Sequence, residues 1–299
     1  MSTTGSAMSS TAGVGVADTA RSTHASRGGS WRAASSLCWR EIIRFLRQRN
    51  RVVGAVGQPI LFWLLFSAGM NQSFQVGGQR FGQYFVPGTL ALILLFTAIF
   101  ATISIIEDRQ EGFLQSVLVA PVARWGIVMG KVLGGTALAV GQGSLFLFLA
   151  MAFGMRPTLL GGVAVLGLMV VLAFGLTSLG FCLAWRLDST QGFHAIMNLL
   201  LMPMWLLSGA FFPVPALASQ ASWSEVGLHW LMRFNPVTYA VAGLRQLMTP
   251  NLVAAIDNSR GALWLPSLTE CWWISIGFAC VTFLAAARIA RRPSEGDLR

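Results

Sequence analysis

Six stretches of this chain are apolar over about twenty residues or more, and they leave little choice of fold. They cover residues 52–70, 84–106, 125–153, 159–185, 193–212 and 271–290. A helix of roughly 20 apolar residues crosses the hydrocarbon of a bilayer. Backbone in lipid must satisfy its own hydrogen bonds, which leaves helices or closed barrels. The apolar residues are gathered into long blocks rather than spread at amphipathic spacing. The sequence therefore predicts an all-α, polytopic membrane protein with six transmembrane helices. Only 11% of the residues are charged, against about 25% in a soluble globular domain.

The formal charge of +10 would in a soluble protein point to nucleic acid, so the positions of the charges decide. Sixteen of the twenty-one Lys and Arg fall in segments that this topology places on one side: Arg21 to Arg51, Arg109 to Lys131, Arg186, and Arg288 to Arg299. Positive charge concentrates on the cytoplasmic side of membrane proteins, so both termini are expected inside. Nucleic acid is then no longer needed to explain the charge. Four cysteines without a C-x-x-C pair indicate neither zinc nor a disulfide framework. Residues 1–36, rich in Ser, Thr, Ala and Gly at their start, read as a disordered cytoplasmic tail, and residues 293–299 as a second tail. Trp39, Arg40, Arg44 and Arg47 fall on a predicted interfacial helix over 37–51, its Arg stripe on lipid headgroups and its Trp side in the acyl boundary.

Between the second and third runs lies the segment IIEDRQEGFLQSVLVAPVARWGIVMGKVLG, residues 105–134. Phe113, Leu114, Val117 and Leu118 share one helical face. Glu107, Asp108 and Glu111 precede them, where a new helix would begin and its dipole would favour carboxylates. Pro121 ends the helix. A second broken stretch, residues 228–248, is apolar but carries Arg233, Asn235, Pro236 and Arg245. Such groups are expensive in lipid, so a re-entrant helix pair at the outer face is expected there.

The run E-D-R-Q-E-G-F-L-Q-S-V-L-V-A-P-V-A-R, with Gly130 and Lys131 after it, resembles the cytoplasmic segment of ABC-2 type transporter permeases. The later S-G-A-F-F-P and F-N-P-x-T-Y-A-V-x-x-L-R elements resemble the C-terminal half of the same family. Phe113 stands where the family often has Thr, and Gln115 to Val117 lack a basic residue common there. The resemblance implies a coupling helix that docks on a separate ATP-binding cassette subunit. Glu107, Asp108, Glu111, Gly112, Phe113, Leu114, Pro121 and Arg124 are its expected docking residues, with Trp39, Arg40, Arg44 and Arg47 in support. It further implies a second permease copy, identical or related, contact with membrane lipid, and a bacterial inner-membrane location. Asn235, Pro236, Tyr239 and Arg245 belong to the outer re-entrant segment. This chain is expected to bind no cofactor; ATP and Mg would sit in the partner.

No G-x-x-x-x-G-K-[ST] motif is present, since Gly126 to Lys131 is followed by Val132. ATP hydrolysis would therefore lie in another chain. Two other classes remain open at this stage. Ser178, His194 and Asp188 could form an intramembrane hydrolase site, and an ion-coupled carrier would need an ionisable group at mid-depth. The spans, apolar and rich in Phe and Met, favour an amphipathic or lipid-linked cargo.

Overall fold

The computed structural model describes residues 17–70, 75–76, 79–119, 123–153, 155, 158–217, 222–250 and 264–291. In chain order the helices are α1 (Ala17–Arg47), α2 (Arg49–Met70), α3 (Phe81–Ala101), α4 (Ile103–Gln110), α5 (Phe113–Val119) and α6 (Arg124–Ala152). They continue with α7 (Leu159–Ala184), α8 (Thr190–Leu206), α9 (Trp223–Phe234), α10 (Pro236–Met248) and α11 (Leu268–Ile289). A two-residue antiparallel pair, β1 (Gln75–Val76) with β2 (Gln79–Arg80), lies between α2 and α3.

The centre of the bundle is α3. Only Gln83 and Phe100 among its residues are even partly exposed, and α2, α6, α7 and α10 pack around it. Its all-round apolar sequence explains this, because a helix without a polar face gains most by complete enclosure. At Thr102 the side chain donates to the carbonyl of Ile99 at 2.6 Å, and α4 then carries the same rod on to Gln110.

Among the described residues, five helical stretches are long and apolar enough to cross a membrane: 52–70, 81–110, 124–152, 159–184 and 268–289. The fifth expected span, 193–212, is different. Helix α8 has 17 residues and stops at Leu206, because Ser208 turns back onto the carbonyl of Trp205 and Gly209 adopts φ +74°, a conformation glycine takes without steric cost. The broken stretch 228–248 is indeed a helix pair. Ser222 and Glu225 form a capping box at the start of α9, and Asn235 ends α9 and caps α10 by accepting from the Val237 amide at 3.0 Å.

At the N-terminus, helix begins at Ala17, well inside the expected tail. Ser30, Ala34, Leu37, Glu41 and Phe45 recur every three or four residues and are buried. That face lies along α6. Gly126, Gly130 and Gly134, at four-residue spacing, let the two backbones touch: a β-carbon on Gly130 would sit 2.7 Å from the Ala34 carbonyl oxygen, and one on Gly126 2.9 Å from that of Ser30. Small residues spaced this way are what close helix approach in lipid requires. The tail composition concealed a helix because its order comes from this tertiary contact rather than from propensity.

Gly130→Leu should separate α1 from α6 and cost about 1–3 kcal/mol, the usual range for overpacking. Gly141, on the same helix, faces open space. Gly141→Ala should leave the melting temperature in detergent unchanged or slightly raised; equal losses from both substitutions would refute the close-contact account.

Candidate functional site

The acidic residues of the central segment sit at the end of a helix rather than at the start of one. Glu107 and Asp108 occupy the last turn of α4, where the helix dipole opposes negative charge. Cations from two other helices offset this. Arg40 of α1 makes a bidentate pair with Asp108, at 2.8 and 3.0 Å. Arg44, one turn on, reaches Asp108 at 2.5 Å, Glu111 at 2.9 Å and Glu107 at 3.1 Å. From α6, Lys131 Nζ donates to Asp108, to Glu41 at 2.5 Å and to Ser104 at 3.3 Å. The side chains of Asp108, Lys131 and Glu41 are at most 5% exposed. Hydrogen bonding to Asp108 pushes the Arg40 guanidinium further up from its ordinary value.

A second set of contacts fastens the other side of α4. Arg109 donates to the carbonyl of Trp185 at 2.6 Å and to Asp188 at 3.0 Å, while Gln110 reaches the Asp188 carbonyl at 2.9 Å. The first of these bonds satisfies the Trp185 carbonyl, left open at the C-cap of α7. The chain then turns at Gly112, with φ +73°, and α5 leaves the rod. Leu114 is buried and Phe113 lies under Arg40, 3.7 Å from guanidinium to ring centre. Gln115 and Ser116 face outward, as do Gln110 and Glu111.

Several expectations are thereby revised. Arg40 and Arg44 face the protein's own carboxylates rather than headgroups, because a bidentate carboxylate partner outcompetes a loose interfacial one. Arg47 remains exposed, and Trp39 is 64% exposed. Asp108 and Leu114 are turned inward and buried. Arg124 caps the last helix, donating to the carbonyls of Ala290 and Arg291 at 3.1 and 3.0 Å. Lys131 is buried in ion pairs. Pro121 lies outside the described residues. The sequence reading missed Glu41 altogether; its signal was Lys131, a cation inside an apolar run that requires a buried counter-charge.

The residues of the second broken stretch, 228–248, form a separate site. Arg245 donates to the Gly209 carbonyl at 2.9 Å and lies over the Tyr84 ring at 4.2 Å. Asn235 also donates to the Met204 carbonyl. Tyr239 packs edge-on against Trp264, with ring centres 5.7 Å apart. The S-G-A-F-F-P and F-N-P elements therefore meet at Gly209. Tyr84 and Asp108 lie near opposite ends of the α3–α4 rod, so this site is roughly 36 Å from the charge cluster at 1.5 Å per residue. Ser178 and His194 are not brought together: Ser178 donates to the Phe174 carbonyl at 2.8 Å, and His194 Nδ1 lies 2.7 Å from that of Thr190. Asp188 is taken by Arg109.

A bundle of long apolar helices, with a short helix fastened from both sides at its charged end, defines a polytopic membrane protein. Residues 32–249 match the model of the ABC-2 type transporter family. The chain belongs to this family of membrane permeases, which work with an ATP-binding cassette subunit. It is 26% identical over 245 residues to Nodulation protein J of Rhizobium leguminosarum bv. trifolii, covering 80% of this chain and 87% of that one. It is 20% identical over 255 residues to a daunorubicin resistance ABC transporter permease protein of Streptomyces coeruleorubidus, covering 85% and 84%. With a probable multidrug ABC transporter permease of Escherichia coli strain K12 it shares 27% over 184 residues, 60% of this chain and 47% of that one.

Removing one member of a buried ion network leaves its partners uncompensated, at about 3 kcal/mol or more. Lys131→Met should therefore lower the melting temperature of the purified protein markedly. The double variant Lys131→Met/Glu41→Gln should recover part of the loss, as coupled sites do. A single variant that melts with the wild type would show that the network contributes nothing.

Proposed function

We propose that this chain is the membrane subunit of an ATP-driven exporter whose hydrolytic subunit docks on α5. The observation that carries this reading is the mounting of α5. Gly112 turns it off the end of the central rod, two sets of ionic contacts hold its base, and Gln110, Glu111, Gln115 and Ser116 are presented outward. A docking element must be both exposed and stiffly attached if a push on it is to move the spans. ATP and Mg belong to the partner in this reading, and two permease copies enclose one pathway.

The charged end is read as cytoplasmic, since positive charge concentrates there, with both termini inside a bacterial inner membrane. Helix α8 serves as the sixth crossing: its 17 residues extend about 26 Å at 1.5 Å per residue, close to the roughly 30 Å hydrocarbon thickness. The α9–α10 pair is the outer re-entrant segment. Relatives bear names that refer to daunorubicin resistance, multidrug transport and nodulation. With an interior this apolar, they favour an amphipathic or lipid-linked cargo. Alternation between inward-open and outward-open states moves it, provided that the two states bind it differently.

Glu111→Arg reverses the charge at the exposed base of α5, and Ser116→Arg adds bulk to its outer face. Each should reduce recovery of the ATPase subunit on affinity purification by about tenfold, corresponding to 1.4 kcal/mol, with membrane insertion unchanged. Full recovery and full stimulation of hydrolysis with both variants would rule α5 out as the docking element.

A further inference from the structure

Arg245 is a buried cation without a counter-ion among the described residues. It is 4% exposed, yet its partners are the neutral Gly209 carbonyl and the face of Tyr84. Among the described residues the ion pairs involve Arg40, Arg44, Arg109 and Lys131, and none involves Arg245. Its Nε is buried and has no hydrogen-bond partner there. Desolvating a charge costs several kcal/mol unless something compensates it, and a carbonyl with a ring face does so only in part.

Arg245 lines a cavity of about 20 Å³ together with Ser208, Gly209, Val214, Thr238 and Trp264. The two hydroxyls donate elsewhere, Ser208 to Trp205 and Thr238 to Met232. The cationic Nε–H of Arg245 is left without a protein partner among the described residues. A space of this size holds about one water-sized sphere, too little for a phosphate or for a carboxylate with its attached carbon. A water molecule would satisfy the donor but not the charge. A single-atom anion would satisfy both.

We propose that Arg245 and this cavity bind a small monovalent inorganic anion of the halide type, which completes the packing of the Gly209 turn onto α3 and α10. The site lies far from α5 and does not depend on how the ATPase docks.

The test is thermal unfolding of the purified full-length protein in detergent, in sodium gluconate, chloride and bromide at equal ionic strength. Chloride and bromide should raise the melting temperature by roughly 2–4 °C over gluconate, the shift expected for a ligand that binds only the native state. Arg245→Gln, which keeps a donor and loses the charge, should abolish the difference. Crystals grown in bromide should show an anomalous peak against the Arg245 guanidinium. No halide effect on the wild type, or an equal effect on Arg245→Gln, would overturn the proposal, as would bromide peaks only elsewhere. Should Arg245→Gln fail to fold, the wild-type salt series and the bromide positions still decide.

Discussion

Lys131, Asp108 and Glu41 come from three different helices and are stable only together. Each ion buried alone would carry a desolvation penalty of several kcal/mol, and Asp108 has the additional disadvantage of a helix C-terminus. Helix α6 cannot keep Lys131 inside the bundle without α4, and α4 cannot keep Asp108 there without α1 and α6. The constraint is geometric as well as energetic. Arg40 grips both oxygens of Asp108, a two-point contact that fixes rotation of α1 about its axis as well as its distance.

That contact depends on the glycine row of α6. Gly134 is one turn beyond Lys131, and a β-carbon there would lie 2.8 Å from the Glu41 side chain. Larger residues at 126, 130 and 134 would hold α1 away, and Glu41 would no longer reach Lys131 at 2.5 Å. The close packing of small residues and the ionic cluster are thus one device. Van der Waals contact sets the separation, and charge sets register and rotation. The G-K pair at 130–131, which in a soluble protein would invite comparison with a phosphate loop, serves both halves of it.

Five of the six expected spans were legible because length of apolar run is a coarse property that survives any detail of packing. The boundary between α4 and α5 was not, because it turns on one residue. Four charges in five positions fit the start of a helix as well as the end of one, and only the left-handed Gly112 decides between them. The direction of the α1 arginines was illegible for a related reason: a basic stripe specifies a negative partner without saying whether it is lipid or protein. Asp108, buried beside Lys131, was the residue able to settle that, and its depth is a tertiary fact. The end of α8 was hidden in the same way, since L-L-S-G-A-F-F continues the apolar run while Ser208 and Gly209 end the helix. The helix pair around Asn235 could be read, because Arg, Asn and Pro inside an apolar stretch leave few alternatives.

The two ends of the α3–α4 rod are secured differently, and the difference has a mechanical consequence. At one end Trp205 donates to the Gly88 carbonyl at 2.8 Å, and a β-carbon on Gly88 would collide with the backbone of Ala210. The Gly209 turn is thereby seated on α3 and held to α10 through Arg245. At the other end the attachments are ionic and reach α1, α6 and the α7–α8 connection. Between them α3 has no free face and cannot slide past its neighbours without breaking close-packed contacts. A displacement at α5 must therefore move these helices as a block, or bend the rod where its hydrogen bonding changes, at Thr102. Gly180 braces that position against α7, so closely that a β-carbon on it would lie 2.8 Å from the Thr102 hydroxyl. Thr102 is thus held from two sides, by its own bond to the Ile99 carbonyl and by the close approach of Gly180.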